Sequence, residues 1–127
     1  YNVTPEHTAS AKSILGADKW LAVEQKVCLK ESPSEARALA RRELERYLGL
    51  PNYRQCWHNL GFSEADLDNG GSDRFIDAMV VWGNEDKIQQ RLDEHFDAGA
   101  THVCIQPVHT PDDLDAAEKT LEALAPG

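Results

Sequence analysis

The stretch Ala98-Gly99-Ala100-Thr101-His102-Val103-Cys104-Ile105-Gln106-Pro107-Val108 decides how the rest of the chain is read. From Thr101 to Val108 it is short, β-branched and nearly continuous in apolar character, the pattern of a strand covered on both faces of a parallel sheet. It follows a helical pattern directly through Ala98-Gly99-Ala100, as a strand entered from a helix does. A second strand is predicted upstream over Leu21 to Leu29. There Leu21, Val23, Val27 and Leu29 fall on one face, and Ala22, Glu24, Lys26 and Cys28 on the other, the period of two that marks a strand with unlike faces. The second face is unusually polar.

Helices are predicted from capping chemistry, in which a side-chain oxygen accepts from the first-turn amides and Pro tolerates the first helical position. Thr4-Pro5 opens a helix that runs to about Leu15 and stops at Gly16. Ser32-Pro33-Ser34-Glu35 is a capping box, followed by a stripe of Ala36, Leu39, Ala40, Leu44, Tyr47 and Leu48 that ends at Gly49. Asn84 caps a helix whose inward stripe is Ile88, Leu92 and Phe96. Thr110-Pro111-Asp112-Asp113 caps the last helix, with Leu114, Ala117, Leu121 and Leu124 predicted to face inward.

Between the two strands lie about 70 residues, far more than a usual crossover loop. Residues 31–82 are therefore read as a helical insertion, with short helices near Pro51 to Leu60, Ser63 to Leu67 and Ser72 to Val81, and a turn at Asp68-Asn69-Gly70-Gly71. Residues 83–127 supply the last helix, last strand and C-terminal helix. Two strands joined by helices are expected to be parallel neighbours. A two-stranded sheet is marginal in water, so the sheet is expected to be incomplete, with an apolar open edge that pairs with another chain as a homo-oligomer.

The net charge of -9, from 13 Lys plus Arg against 22 Asp plus Glu, disfavours nucleic acid and anionic membrane surfaces. Three cysteines without CxxC spacing fit a reducing, cytoplasmic setting. The five histidines make no pair at a three- or four-residue interval and no HExxH, so no metal site is expected. No GxSxG, P-loop or GxGxxG occurs, which leaves acyl transfer, nucleotide hydrolysis and dinucleotide binding of the Rossmann kind without support.

Several motifs taken together resemble one family. Gly83-Asn84-Glu85-Asp86 leading through Ile88, Leu92 and Ala98-Gly99-Ala100 into His102-Val103-Cys104-Ile105-Gln106 is similar to the last helix and strand of luciferase-like monooxygenases. The opening Val3-Thr4-Pro5-Glu6-His7-Thr8 resembles the segment after the sixth barrel strand of that family. Leu50-Pro51-Asn52-Tyr53, Trp57, Gly61-Phe62 and Gly70-Gly71-Ser72-Asp73-Arg74 look like the insertion of its actinobacterial, deazaflavin-dependent members.

The likeness covers almost the whole chain in the same order. It implies an α/β fold, the C-terminal part of a TIM (β/α)8 barrel with a helical insertion between the last two strands. It also implies a parent oxidoreductase or monooxygenase that binds F420 (a deazaflavin) or FMN and a small-molecule substrate. The start at Tyr1 agrees with a missing upstream segment, and a chain lacking the earlier strands is expected to be inactive alone and to hold little or no cofactor. The competing reading is a stand-alone, non-catalytic binding or assembly module derived from the barrel tail.

Within the barrel reading, strand C-terminal ends form the active face, which draws attention to Cys28, Leu29, Lys30, Gln106, Pro107 and His109. Gln106 and His109 either hydrogen-bond a cofactor or substrate or merely satisfy a turn. Glu24 and Lys26 either touch a ligand in the barrel lumen, form a structural ion pair, or are simply exposed because the sheet is open. Tyr53 and Trp57 either wall a substrate pocket or pack the insertion. Gly70-Gly71-Ser72 either offers amides to a phosphate or is a plain turn and N-cap, and the flanking Asp68 and Asp73 oppose an anion.

Overall fold

The computed structural model describes residues 1–127 and shows one open parallel sheet with helices on both faces. The elements, in chain order, are α1 (Pro5–Leu15), β1 (Ala22–Cys28), α2 (Pro33–Leu48), α3 (Pro51–Asn59), α4 (Glu64–Leu67), α5 (Asp73–Met79), β2 (Val80–Trp82), α6 (Glu85–Asp97), β3 (His102–Pro107) and α7 (Leu114–Leu124). No helix is long and apolar enough to cross a membrane.

The sheet has three strands in the order β2-β1-β3, and this corrects the expected barrel fragment. In a (β/α)8 barrel each strand pairs with the next one along the chain, so the strand after β2 would lie beside β2. Instead β3 returns across β1 and pairs with it over six residues, Ala22↔His102 to Val27↔Pro107, while β2 pairs with the other edge, Lys26↔Val80 to Cys28↔Trp82. The 31–82 segment is likewise not purely helical. The predicted helix from Ser72 to Val81 stops at Met79, and the β-branched pair Val80-Val81 continues as strand.

Crossovers of the usual right hand that run in opposite directions place their helices on opposite faces. Helices α2 to α5 pack on one face, where Cys28 and Val80 meet Ala36, Ala40, Leu44 and Ile76. Helix α6 packs on the other, where Val27 and Val81 meet Ile88 and Leu92. An aromatic chain fills the larger core: Tyr53 to Trp57, Trp57 to Phe75 at 4.8 Å between centroids, and Phe62 to Phe75 at 5.4 Å. The α7 stripe turns out differently from its periodicity: Leu114 is 69% exposed and Leu121 48%, while Thr120 is buried. In α6, His95 and not Phe96 points inward.

His95 explains that rotation. It is fully buried between α1 and β1, with Nδ1 2.9 Å from Thr8 Oγ1 and Nε2 2.9 Å from Gln25 Oε1. The Gln25 amide donates to the carbonyls of Lys26 and Met79, so its oxygen accepts and the imidazole proton sits on Nε2. Nδ1 then accepts from the Thr8 hydroxyl. Burial, with the nearby Arg91 charge, lowers His95 from 6.5 to about 4.

Between those values the unfolded chain binds a proton that the folded chain refuses. Stability therefore falls as pH drops from about 6.5 to about 4, by on the order of 3 kcal/mol at the lower limit. Urea unfolding of wild type and His95→Gln across this range should show the extra slope in wild type only; equal slopes would contradict it.

Candidate functional site

Two polar groupings lie toward the C-terminal ends of the strands, where ligands of open α/β sheets bind beside a strand pair whose connections leave to opposite faces. Strand β1 leads to helices on one face and β3 leads to α7, which packs against α6 on the other. The crevice between them holds a pocket of about 240 Å³ lined by Cys28, Lys30, Val108, Asp113, Lys119 and Thr120 among others. It continues into a neighbouring pocket of about 280 Å³ bounded by Glu35, Leu39, His109 and Thr110.

The end of β1 supplies Lys30, and the turn after β3 supplies His109. Nδ1 of His109 lies 2.6 Å from the Thr110 carbonyl oxygen and donates to it, which directs Nε2 away from that turn. Asp113 caps α7 by accepting from the Ala116 amide, so one of its oxygens is committed. Burial pushes the Cys28 thiol up, against only a partial offset from Lys30, and makes it a poor nucleophile at neutral pH.

The second grouping sits on the α2 face of the sheet. The Lys26 side chain is 1% exposed, yet its ammonium donates to Gln106 Oε1 at 2.6 Å and to Glu24 at 3.3 Å, and pairs by charge with Glu43 at 3.4 Å. It also lies 5.3 Å from the ring of Tyr1 and 5.5 Å from that of Tyr47. Gln106 closes the circuit by donating to Glu43 at 3.4 Å. Two carboxylates outweigh one cation, so the cluster repels anions and favours neutral or cationic groups.

The six residues singled out from sequence thus separate. Lys26, Glu24 and Gln106 are brought together, with Lys26 and Glu24 forming the ion pair and Gln106 bridging from the neighbouring strand. His109 stands apart in the crevice. Trp57 is fully buried and donates its indole N–H to the Asn2 carbonyl at 2.9 Å, so it packs the core and walls no pocket. Tyr53 is half-buried between Tyr1, Tyr47 and Trp57. Gly70-Gly71-Ser72 is a turn and N-cap: Ser72 accepts from the Phe75 amide, and Arg41 takes the Gly71 carbonyl.

No family model, curated protein or solved structure matches the chain.

Glu43, Tyr47, Asp113 and Lys119 are the site residues that sequence reasoning missed. For Glu43 a signal was present, because it falls seven residues after Ala36 and four before Tyr47, inside the buried stripe of α2. A charged residue on an apolar stripe needs a buried partner, and Lys26 on a core strand is the complementary anomaly. Lys119 carries no such mark, since it is an exposed lysine on a helix, the ordinary place for one.

Proposed function

We propose that the chain is part of a flavin- or deazaflavin-dependent oxidoreductase of the luciferase-like kind, in which it closes one side of a cofactor site at the C-terminal ends of β1 and β3. The resemblance of its ordered motifs supports the cofactor class. The observation that carries the location is the crevice with Lys30 and Lys119 on its rim and His109 beside it. Two ammonium groups and an imidazole suit the phosphate of such a cofactor, with the carboxylates of Asp113 and Glu35 on the same walls offsetting part of that charge. When bound, the ring system supplies hydride transfer or oxygen activation, and the residues here bind and orient it.

On this reading the phosphate sits in the first of the two adjoining pockets, whose volume of about 240 Å³ is less than the roughly 300 to 1,000 Å³ of a site that encloses a whole ligand, and the rest of the cofactor extends beyond it. Titrating FMN or F420 into the labelled chain and following amide resonances should give weak, fast-exchange shifts confined to Lys30, His109, Lys119 and their neighbours. Tight stoichiometric binding, or no shift at those positions, would overturn this reading.

An assembly role draws on a different observation. Leu92, Phe96, Val103, Ile105, Leu121 and Leu124 line an apolar groove of about 620 Å³ along the outer side of β3.

A further inference from the structure

We infer that β3 is the docking edge for a second copy of this chain, the two β3 strands pairing antiparallel about Cys104 to make one continuous sheet. The inference is independent of the redox reading.

The two edges of the sheet differ in how they are protected. Strand β2 is three residues long, and its last ring, Trp82, is covered by Lys87 at 3.9 Å and Arg37 at 5.3 Å. Short strands and charged cover are the ordinary defences of an edge. Strand β3 is six residues long and hydrogen-bonded to a strand on one side only, and the one defence it carries is Pro107 at its C-terminal end. His102–Pro107 also contains no Asp, Glu, Lys or Arg, in a chain that is 28% charged with a net charge of -9. An uncharged strip is where two copies of an acidic chain approach with least repulsion, whereas a basic partner would find no acidic contact on it.

The strip is self-complementary, as a two-fold interface requires. Aligned antiparallel about Cys104, Val103 faces the partner's Ile105 on the α6 and α7 side, and both pairs extend the apolar groove. Phe96 and Leu121, 47% and 48% exposed, border that groove and would be covered. On the opposite side Cys104 faces the partner's Cys104, and Gln106 faces the partner's His102. Each copy thereby adds an imidazole next to the Gln106 that bridges to Lys26. The dimer widens the polar cluster beyond what one chain provides.

Sedimentation equilibrium at about 0.15 M ionic strength, where charges are screened beyond about 8 Å, should give twice the 14.1 kDa mass of the chain. In a Cys56→Ser background a short bismaleimide should link the two copies through Cys104, and Cys104→Ser should abolish the linked band. Ile105→Lys should yield a monomer with unchanged far-ultraviolet circular dichroism. A monomeric wild type, or one that binds only another kind of protein, overturns the inference. So does a dimer whose Cys104 residues fail to link, which would place the contact elsewhere; this readout on the otherwise intact chain stands even if Ile105→Lys fails to fold.

Discussion

Replacing Trp57 with alanine is expected to remove about 3 to 5 kcal/mol, a large share of the stability of a domain of this size. The indole is wholly excluded from water, stands 4.8 Å from Phe75 and 5.7 Å from Tyr53, and ties the N-terminal segment to α3 through the Asn2 carbonyl. Deleting it opens a cavity at the junction of α2, α3 and α5, and the two flanking rings cannot collapse into it without leaving their own contacts. Trp57→Phe separates packing from the hydrogen bond and should lose roughly half as much. Urea midpoints for the three proteins check this. An alanine variant within about 0.5 kcal/mol of wild type, the range of a neutral surface change, would show that the ring is not part of the core.

The second large effect is expected at the sheet face, from the double substitution Glu24→Gln and Glu43→Gln. The Lys26 ammonium is buried and held by two carboxylates and one amide oxygen. Either single change leaves one anion and should cost about 1 to 2 kcal/mol. Removing both leaves an uncompensated buried cation, with a loss of about 3 to 5 kcal/mol. Adding Lys26→Met to the double variant should restore most of it, since an apolar side chain of similar length tolerates the site. The four chemical-denaturation curves form a cycle. Additive single losses with no rescue by methionine would mean that the ammonium reaches water in solution.

Much of the local structure was legible in the sequence because capping and periodicity are local. Thr4, Ser32 and Asn84 each accept from the amide that their position predicts, and β1 and β3 form and pair in parallel, although β3 lies at the sheet edge with no residue fully buried instead of being covered on both faces. Topology was not legible to the same degree. Val80-Val81-Trp82 is too short to show a period and follows a helix without a break, so the third strand was absorbed into α5 and the sheet order could not be anticipated.

The site divides along the same line. Lys26 and Glu24, two apart on one strand, were readable as a pair, while Glu43 and Gln106 reach the same ammonium from positions far along the chain. The burial of His95 leaves no mark in the periodicity, because Phe96 fits the apolar stripe better. A buried imidazole is selected by Thr8 and Gln25, neither of which is near it in sequence.

The central place of β1 sets a schedule for synthesis. Its partners lie downstream on both sides, and the bond between Lys26 and Gln106 spans 80 residues. At roughly 5 to 20 residues per second, β1 leaves the ribosome about 4 to 16 seconds before β3 is made. During that interval Val23, Val27 and Cys28 form a strand with two vacant sides, and no local hairpin can occupy them, because parallel pairing demands a crossover. Helices α2 and α3 can form early, but the sheet cannot close until the last quarter of the chain arrives. The nascent protein therefore depends on its helices, or on a bound chaperone, to shield the one strand on which the whole fold is later assembled.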